Sequence, residues 1–197
     1  MQHRGTYAGI TEKLPYLKEL GITAVELMPS YEFLELEKQE RRERSMDEAR
    51  NHYMDLPEEK DEPPRINYWG YKRGYYFAPK MSYSASDCPA EEFKDMVKNA
   101  HQNGIEVIMQ FYFPADVKRA YILEVIKYWV FTFHVDGFHL LGMHMPTALL
   151  ATEPMLGNTK LFMRIFPAGK SMITMIYPYI KTWRYITMIL CTLPGIS

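Results

Sequence analysis

The segment HVDGFHLLG, residues 134–142, carries polar side chains at a spacing that could serve a chemical site. Its pattern predicts a short strand that delivers His139 to a cavity, with Leu141 two residues further on. A carboxylate at position 141 would allow acid, base or nucleophilic chemistry, whereas leucine supplies neither a charge nor a proton. Among other acids, Glu26 is interpreted as a polar position within a strand and Glu32 as a loop residue. We therefore predict no catalytic residue.

Other kinds of chemical site find little support in the sequence. His139 and His144 lie five residues apart, which does not make a zinc site without further ligands. The chain shows no Ser-His-Asp order, no cluster of metal ligands and no glycine-rich phosphate loop. We predict neither a metal nor a cofactor.

Composition describes an ordinary globular chain with one sizeable core. It has 197 residues, of which 47% are hydrophobic and 24% charged, and a formal net charge of -1. This balance predicts no nucleic-acid partner and no membrane partner. Cys88 and Cys191 lie too far apart in sequence to suggest a disulfide framework, and the first residues hold no apolar run typical of a signal peptide. We expect a cytoplasmic protein of undetermined oligomeric state.

Helical and strand patterns alternate along the chain. Thr11 is predicted to cap a helix through KLPYLKEL, with Pro15 in its first turn and Gly21 at its end, before a buried strand at residues 22–29. The later elements are a helix through EEFKDMVKNAHQNG opened by Ser86 or Asp87 with Pro89, a strand IEVIMQFYF, a helix DVKRAYILEVIKYWVFTF and a strand VDGFHLL. This order predicts a parallel sheet whose functional loops lie at the carboxyl ends of the strands.

Two segments interrupt the alternation. Residues 35–64 mix charges of both signs with few apolar residues, which predicts a solvated insertion. Residues 65–87 are dense in aromatic and turn residues, which predicts an ordered loop.

Four segments resemble the α-amylase superfamily, glycoside hydrolase family 13, in the right order: GITEKLPYLKELGITAVELMPSYEF, NYWGYKRGYYFAPKMSYS, EEFKDMVKNAHQNGIEVIM and VDGF. The similarity covers roughly residues 5–142 and is nearest to the glycogen-debranching, isoamylase and pullulanase type. It implies an α/β fold, a partial (β/α)₈ TIM barrel running from helix 1 to strand 4, followed by an irregular tail. The family splits or transfers α-glucosidic bonds with two carboxylates, one beneath the sugar ring and one that protonates the leaving oxygen.

The chain departs from the family pattern where that chemistry is expected. On the third barrel strand, Gln110 stands at the family's Asp, Pro114 at its Asn and Ala115 at its His. On the fourth strand, His139 replaces the Arg that steers the nucleophile, and Leu141 replaces the nucleophile itself. The resemblance therefore predicts a strand that keeps its structural half and has lost its chemical half.

The same resemblance assigns roles to four further positions. Asp136 is expected to be structural rather than catalytic. Tyr71 matches an aromatic residue that can form a platform under the sugar, so Tyr71, its neighbour Trp69 and His139 are the predicted substrate-binding residues for an α-glucan. Packing roles for Tyr71 and His139 remain open alternatives.

The last part of the chain has a different character. No Asp or Glu follows Glu153, and Met, Ile and Thr become frequent without a clear helical or strand period. With A/T-rich codons assumed, a shift of reading frame yields an acidic, tyrosine-rich alternative. We therefore predict a partial barrel domain over residues 1–165 and an aberrant, frameshifted tail over residues 166–197. A chain truncated in this way would lack the later catalytic carboxylates and be prone to aggregate.

Three functional hypotheses follow. The first is a degenerate, catalytically inactive fragment of an α-amylase-family protein of glycogen or starch metabolism. The second is a glucan-binding pseudoenzyme that uses Tyr71, Trp69 and their neighbours. The third is a debranching-type glycoside hydrolase with a rearranged site, completed by another chain.

Overall fold

The computed structural model describes residues 3–36, 66–142, 145–165, 172–175 and 185–188. The helices are α1 Tyr7–Glu19, α2 Pro89–Gln102, α3 Arg119–Phe133 and α4 Thr147–Thr152, with short 3₁₀ turns at Met81–Tyr83 and Pro154–Leu156. The strands are β1 Ala24–Leu27, β2 Tyr31–Phe33, β3 Gly74–Pro79, β4 Glu106–Phe113, β5 Gly137–Gly142, β6 Lys160–Ile165, β7 Met172–Met175 and β8 Tyr185–Met188.

The main sheet confirms the predicted α/β architecture. Its six strands have the order β7-β6-β5-β4-β1-β8, and every pair is parallel except the antiparallel β6–β7 pair. Helices α2 and α3 connect successive parallel strands, which makes this a partial (β/α)₈ barrel. The sheet extends beyond the predicted strands: β6 follows β5, and the tail contributes β7 and β8, although no strand period is visible in its sequence.

The first helix begins earlier than predicted. Thr6 caps it, and its Oγ1 accepts a hydrogen bond of 3.1 Å from the backbone N–H of Gly9. Pro15 therefore lies inside the helix rather than in its first turn. The predicted end is confirmed, because Gly21 adopts the left-handed conformation with φ 75°.

The entry to α2 also differs from the prediction. Cys88 occupies the cap position, and its side chain makes no capping hydrogen bond. The Glu92 carboxylate accepts instead from the backbone N–H groups of Ala85, Ser86 and Ala8. This single side chain thus fastens the loop before α2 to the start of α1.

The two interrupting segments have different outcomes. The predicted aromatic loop is ordered, and it contains β3, which pairs with β2 in a separate antiparallel sheet. Glu32, predicted to be a loop residue, lies in β2 and accepts hydrogen bonds from Lys80 Nζ at 3.0 Å and the Met81 N–H at 2.8 Å. The predicted charged insertion lies almost wholly outside the described residues, which stop at Leu36 and resume at Ile66, where the two residues form a bridge.

An aromatic core lies between the main sheet and its helices. Phe111 of β4 contacts the rings of Tyr31, Trp129 and Phe138 at centroid distances of 5.0, 5.6 and 5.8 Å. Trp129 is fully buried, and its Nε1 donates a hydrogen bond of 2.6 Å to the Tyr76 carbonyl. None of the helices among the described residues is long and apolar enough to cross a bilayer.

Candidate functional site at the inner face of the sheet

Alternation along the strands separates two faces of the main sheet. On β4, Val107, Met109, Phe111 and Phe113 belong to the core under the helices, so Gln110 and its alternate neighbours lie on the opposite face. The same alternation places Glu26 of β1 and both His139 and Leu141 of β5 on that face. In a barrel this face points toward the axis, and we call it the inner face.

Four side chains form a continuous chain of hydrogen bonds on the inner face. His139 Nδ1 lies 2.8 Å from Glu26 Oε1, and Gln110 Nε2 donates a hydrogen bond of 2.6 Å to the same oxygen. The other end of the Gln110 amide accepts a hydrogen bond of 2.6 Å from the Tyr71 hydroxyl. The chain links the loop before β3 with β4, β1 and β5, and we call it the inner network.

The carboxylate of Glu26 is the charged centre of the inner network. Burial alone would raise its pKa, but the hydrogen bonds from His139 and Gln110 outweigh burial and lower the pKa below its ordinary value. An ionised carboxylate only accepts hydrogen bonds, so His139 donates through Nδ1–H. Nε2 of His139 is buried and has no hydrogen-bond partner among the described residues.

Leu141 lies beyond the inner network, toward the carboxyl end of β5, beside Tyr112 of β4. Of the inner-face carboxylates that the structure describes, Glu26 belongs to the inner network and Glu106 is ion-paired with Lys160 near the amino ends of the strands. Asp116, just beyond the carboxyl end of β4, is exposed and paired with Arg73. Each of these carboxylates already has a partner of its own.

The loop that carries the predicted sugar contacts is held against the sheet. The Asn67 side chain accepts hydrogen bonds from the backbone N–H groups of Trp69 and Gly70, at 3.1 and 3.2 Å. The Tyr31 hydroxyl lies within donating distance of two carbonyls of this loop, 3.0 Å from that of Gly70 and 2.9 Å from that of Lys72. Gly70 has φ 68°, and a Cβ there would lie 2.7 Å from the ring of Phe33, so only glycine fits.

The predicted contacts differ in accessibility. Trp69 is 59% exposed, and Tyr71 is 40% exposed with its hydroxyl turned inward to Gln110. His139 is mostly buried within the inner network. The structure thus connects Tyr71 to His139 through Gln110 and Glu26, while Trp69 stands at the surface.

Asp136 lies at the opposite, amino-terminal end of β5. Its Oδ2 accepts a hydrogen bond of 2.8 Å from the Val107 N–H and lies 2.7 Å from His101 Nε2. These contacts join the start of β5 to β4 and α2. These contacts are consistent with the structural role expected for Asp136.

Glu26 and Gln110 have larger roles in the structure than their sequence positions predicted. Glu26 is far more than a polar strand position, because it is 8% exposed and accepts hydrogen bonds from Gln110 on the adjacent β4 and from His139 on β5, two strands away. Each of the two residues interrupts an otherwise apolar strand, and a buried polar residue needs a partner. That signal was available in AVELM and VIMQFYF, although it does not identify the partner. Among the described residues, no three His, Cys, Asp or Glu side chains gather as metal ligands would.

Comparison with known proteins agrees with this architecture. The model of the α-amylase catalytic domain matches residues 1–115. The chain therefore belongs to the α-amylase family.

Within that family, the curated relatives that the chain resembles include isoamylases and glycogen operon proteins. The chain is 31% identical over 188 residues to isoamylase 1, chloroplastic, of Oryza sativa subsp. japonica, covering 70% of this chain and 21% of that protein. It is 30% identical over 225 residues to the glycogen operon protein GlgX homolog of Haemophilus influenzae, covering 84% of this chain and 31% of that protein. The chain thus spans less than a third of the length of these relatives.

Among solved structures, one match is the product complex of the multi-modular glycogen-degrading pneumococcal virulence factor SpuA. It shares 22% sequence identity with a TM-score of 0.48, over 68% of this chain and 17% of that chain.

Proposed function

We propose that this chain is a non-hydrolytic member of the α-amylase family that acts in α-glucan metabolism. The observation that carries the proposal is that the Glu26 carboxylate on the inner face is engaged by His139 and Gln110. Position 141, where the family resemblance leads us to expect the nucleophile, is a leucine. Retaining hydrolysis needs a carboxylate beneath the ring and a second carboxyl group that holds a proton for the leaving oxygen.

Glu26 does not replace the missing acid. A general acid has to hold its proton near neutral pH, and the lowered pKa of Glu26 keeps this group ionised there. Glu106 and Asp116 are ion-paired with Lys160 and Arg73. The described carboxylates near the inner face therefore already have partners, which favours the non-hydrolytic proposal over the rearranged-hydrolase hypothesis.

A specific observation supports glucan binding as the activity that remains. Trp69 and Tyr71 expose aromatic surface on a loop that hydrogen bonds hold in place, and aromatic faces stack on the apolar faces of sugars. His139, the third predicted contact, supports this surface from within the barrel through Glu26 and Gln110.

Affinity electrophoresis in glycogen-containing gels tests the binding proposal. The full chain is expected to be retarded, and Trp69→Ala and Tyr71→Ala to lose most of the retardation. Tyr75→Ala is the matched control, because Tyr75 is 70% exposed and lies on β3 outside the inner network. Equal mobility with and without glycogen would contradict binding, and equal retardation of all variants would place it elsewhere on the chain.

A further inference from the structure

The Tyr71 hydroxyl donates a hydrogen bond to Gln110, and the orientation of Gln110 is in turn fixed by Glu26. Gln110 presents two different ends, a carbonyl oxygen that accepts and an NH₂ group that donates. Glu26 only accepts when ionised, so it fixes the NH₂ end of Gln110 on its own side, at 2.6 Å. The carbonyl end then faces Tyr71 and receives its hydroxyl hydrogen, also at 2.6 Å.

Burial keeps this arrangement in one orientation. Gln110 is 7% exposed and Glu26 is 8% exposed, so little water competes for their hydrogen bonds. His139 donates a second hydrogen bond to the same Glu26 oxygen and limits its movement. A flipped Gln110 amide would point its carbonyl at the carboxylate and its NH₂ at the Tyr71 hydroxyl, losing the charge-assisted bond.

We propose that Gln110 and Glu26 are positioning residues for the Tyr71 ring, which they hold in the orientation that stacks on a glucosyl unit. This inference rests on the proposed glucan-binding function. Tyr71 is exposed over 40% of its surface, so an anchor at its hydroxyl leaves part of the ring available to a ligand. A ring fixed before binding loses less rotational freedom when the sugar arrives, which strengthens binding.

A double-mutant cycle on the full chain measures how strongly Gln110 and Tyr71 are coupled in glucan binding. Gln110→Leu and Tyr71→Phe each remove one side of the anchoring hydrogen bond while keeping side-chain size. Each is expected to weaken maltotriose or glycogen binding by about threefold to tenfold, the ratio that follows from losing one ordinary hydrogen bond. The double variant is expected to bind no more weakly than the weaker single variant, because both remove the same bond.

Trp69→Ala provides the matched control cycle. Trp69 is 59% exposed and lies outside the inner network, so its effect on binding should multiply with that of Gln110→Leu. Glu26→Gln, which alters the residue that fixes Gln110 on the side away from Tyr71, provides a second variant should Gln110→Leu fail to fold. It should weaken binding in the wild-type background and have no further effect in the Tyr71→Phe background.

The outcomes separate the two proposals. Binding by the wild-type chain with multiplicative effects of Gln110→Leu and Tyr71→Phe would overturn the positioning role and leave glucan binding intact. The absence of binding by the folded wild-type chain would overturn both. Binding with non-multiplicative effects in the Tyr71 cycle, and multiplicative effects in the Trp69 cycle, supports the positioning role.

Discussion

The two faces of the same central strands are held by different forces. The face under the helices is an aromatic core, in which Phe111, Trp129 and their neighbours pack ring against ring. The inner face instead depends on a few directional hydrogen bonds around Glu26. The aromatic core does not involve position 141, so the leucine there is compatible with the fold, although the family resemblance predicts a carboxylate at that position.

The largest expected effect comes from the helix-facing side. Trp129→Ala should reduce the free energy of unfolding by about 3–5 kcal/mol, because it opens a cavity among buried rings and removes the hydrogen bond to the Tyr76 carbonyl. Urea unfolding followed by circular dichroism measures the change. The same substitution at Trp69, which is 59% exposed, should change stability by less than about 0.5 kcal/mol. Equal losses at the two sites would break the contrast between core and surface.

The next largest effect on stability is expected at the amino-terminal end of β5, and it can be compared with a substitution toward the carboxyl end. Asp136→Ala should destabilise the chain by about 1–3 kcal/mol, because the Val107 N–H and His101 lose their acceptor. Leu141→Ala should cost less, since Leu141 is only partly buried and lies outside the aromatic core. Chemical denaturation of both variants shows which substitution costs more stability. A larger loss for Leu141→Ala than for Asp136→Ala would contradict the structural role assigned to Asp136.

A third effect concerns how the stability of the chain falls as the pH is lowered. The folded pKa of Glu26 is lowered from the ordinary value of 4.5, so its stabilising contribution is present above that value and is lost as pH falls through the folded pKa. Glu92 has a lowered pKa as well, with its hydrogen bonds from Ala85 and Ser84 outweighing burial. Glu26→Gln should therefore flatten the fall in melting temperature below pH 4.5, and adding Glu92→Gln should flatten it further. An unchanged acid limb in Glu26→Gln would show that the inner network does not depend on the charge.

The smallest effect is a gain in stability. His134 ends α3 in the left-handed conformation, with φ 56°, and is exposed. Replacing it by glycine removes the steric cost of that conformation but increases the conformational entropy of the unfolded chain. The net gain in the free energy of unfolding should be a few tenths to about 1 kcal/mol. Thermal unfolding of His134→Gly and of His134→Ala should show a rise for the glycine variant alone.

The sequence predicted the order of the helices and strands well, but it predicted the contacts of the inner face only in part. Alternating helical and strand periods give the order of elements, and the left-handed Gly21 ends α1 as expected. The start of α1 was missed because Thr11 and Thr6 are both acceptable caps, and the Thr11 hydroxyl instead bonds back to the Tyr7 carbonyl inside the helix. Tertiary contacts decide such choices.

The inner network shows the same limit more clearly. A glutamate within AVELM and a glutamine within VIMQFYF signal buried polar groups, yet 84 residues separate Glu26 from Gln110 and 113 separate it from His139. Only the register of β1, β4 and β5 brings them together. Residue type can therefore be read from the sequence, while the choice of partner follows from the sheet.

The most direct test of the absence of hydrolysis is reducing-end release from glycogen and pullulan by the purified full chain, compared with Glu26→Gln at equal concentration. We predict no release above buffer from either protein over hours, because position 141 is a leucine and the lowered pKa of Glu26 leaves that carboxylate without a proton to donate near neutral pH. Release by the wild-type chain that disappears in Glu26→Gln would contradict the proposal and make Glu26 the catalytic carboxylate of a working hydrolase.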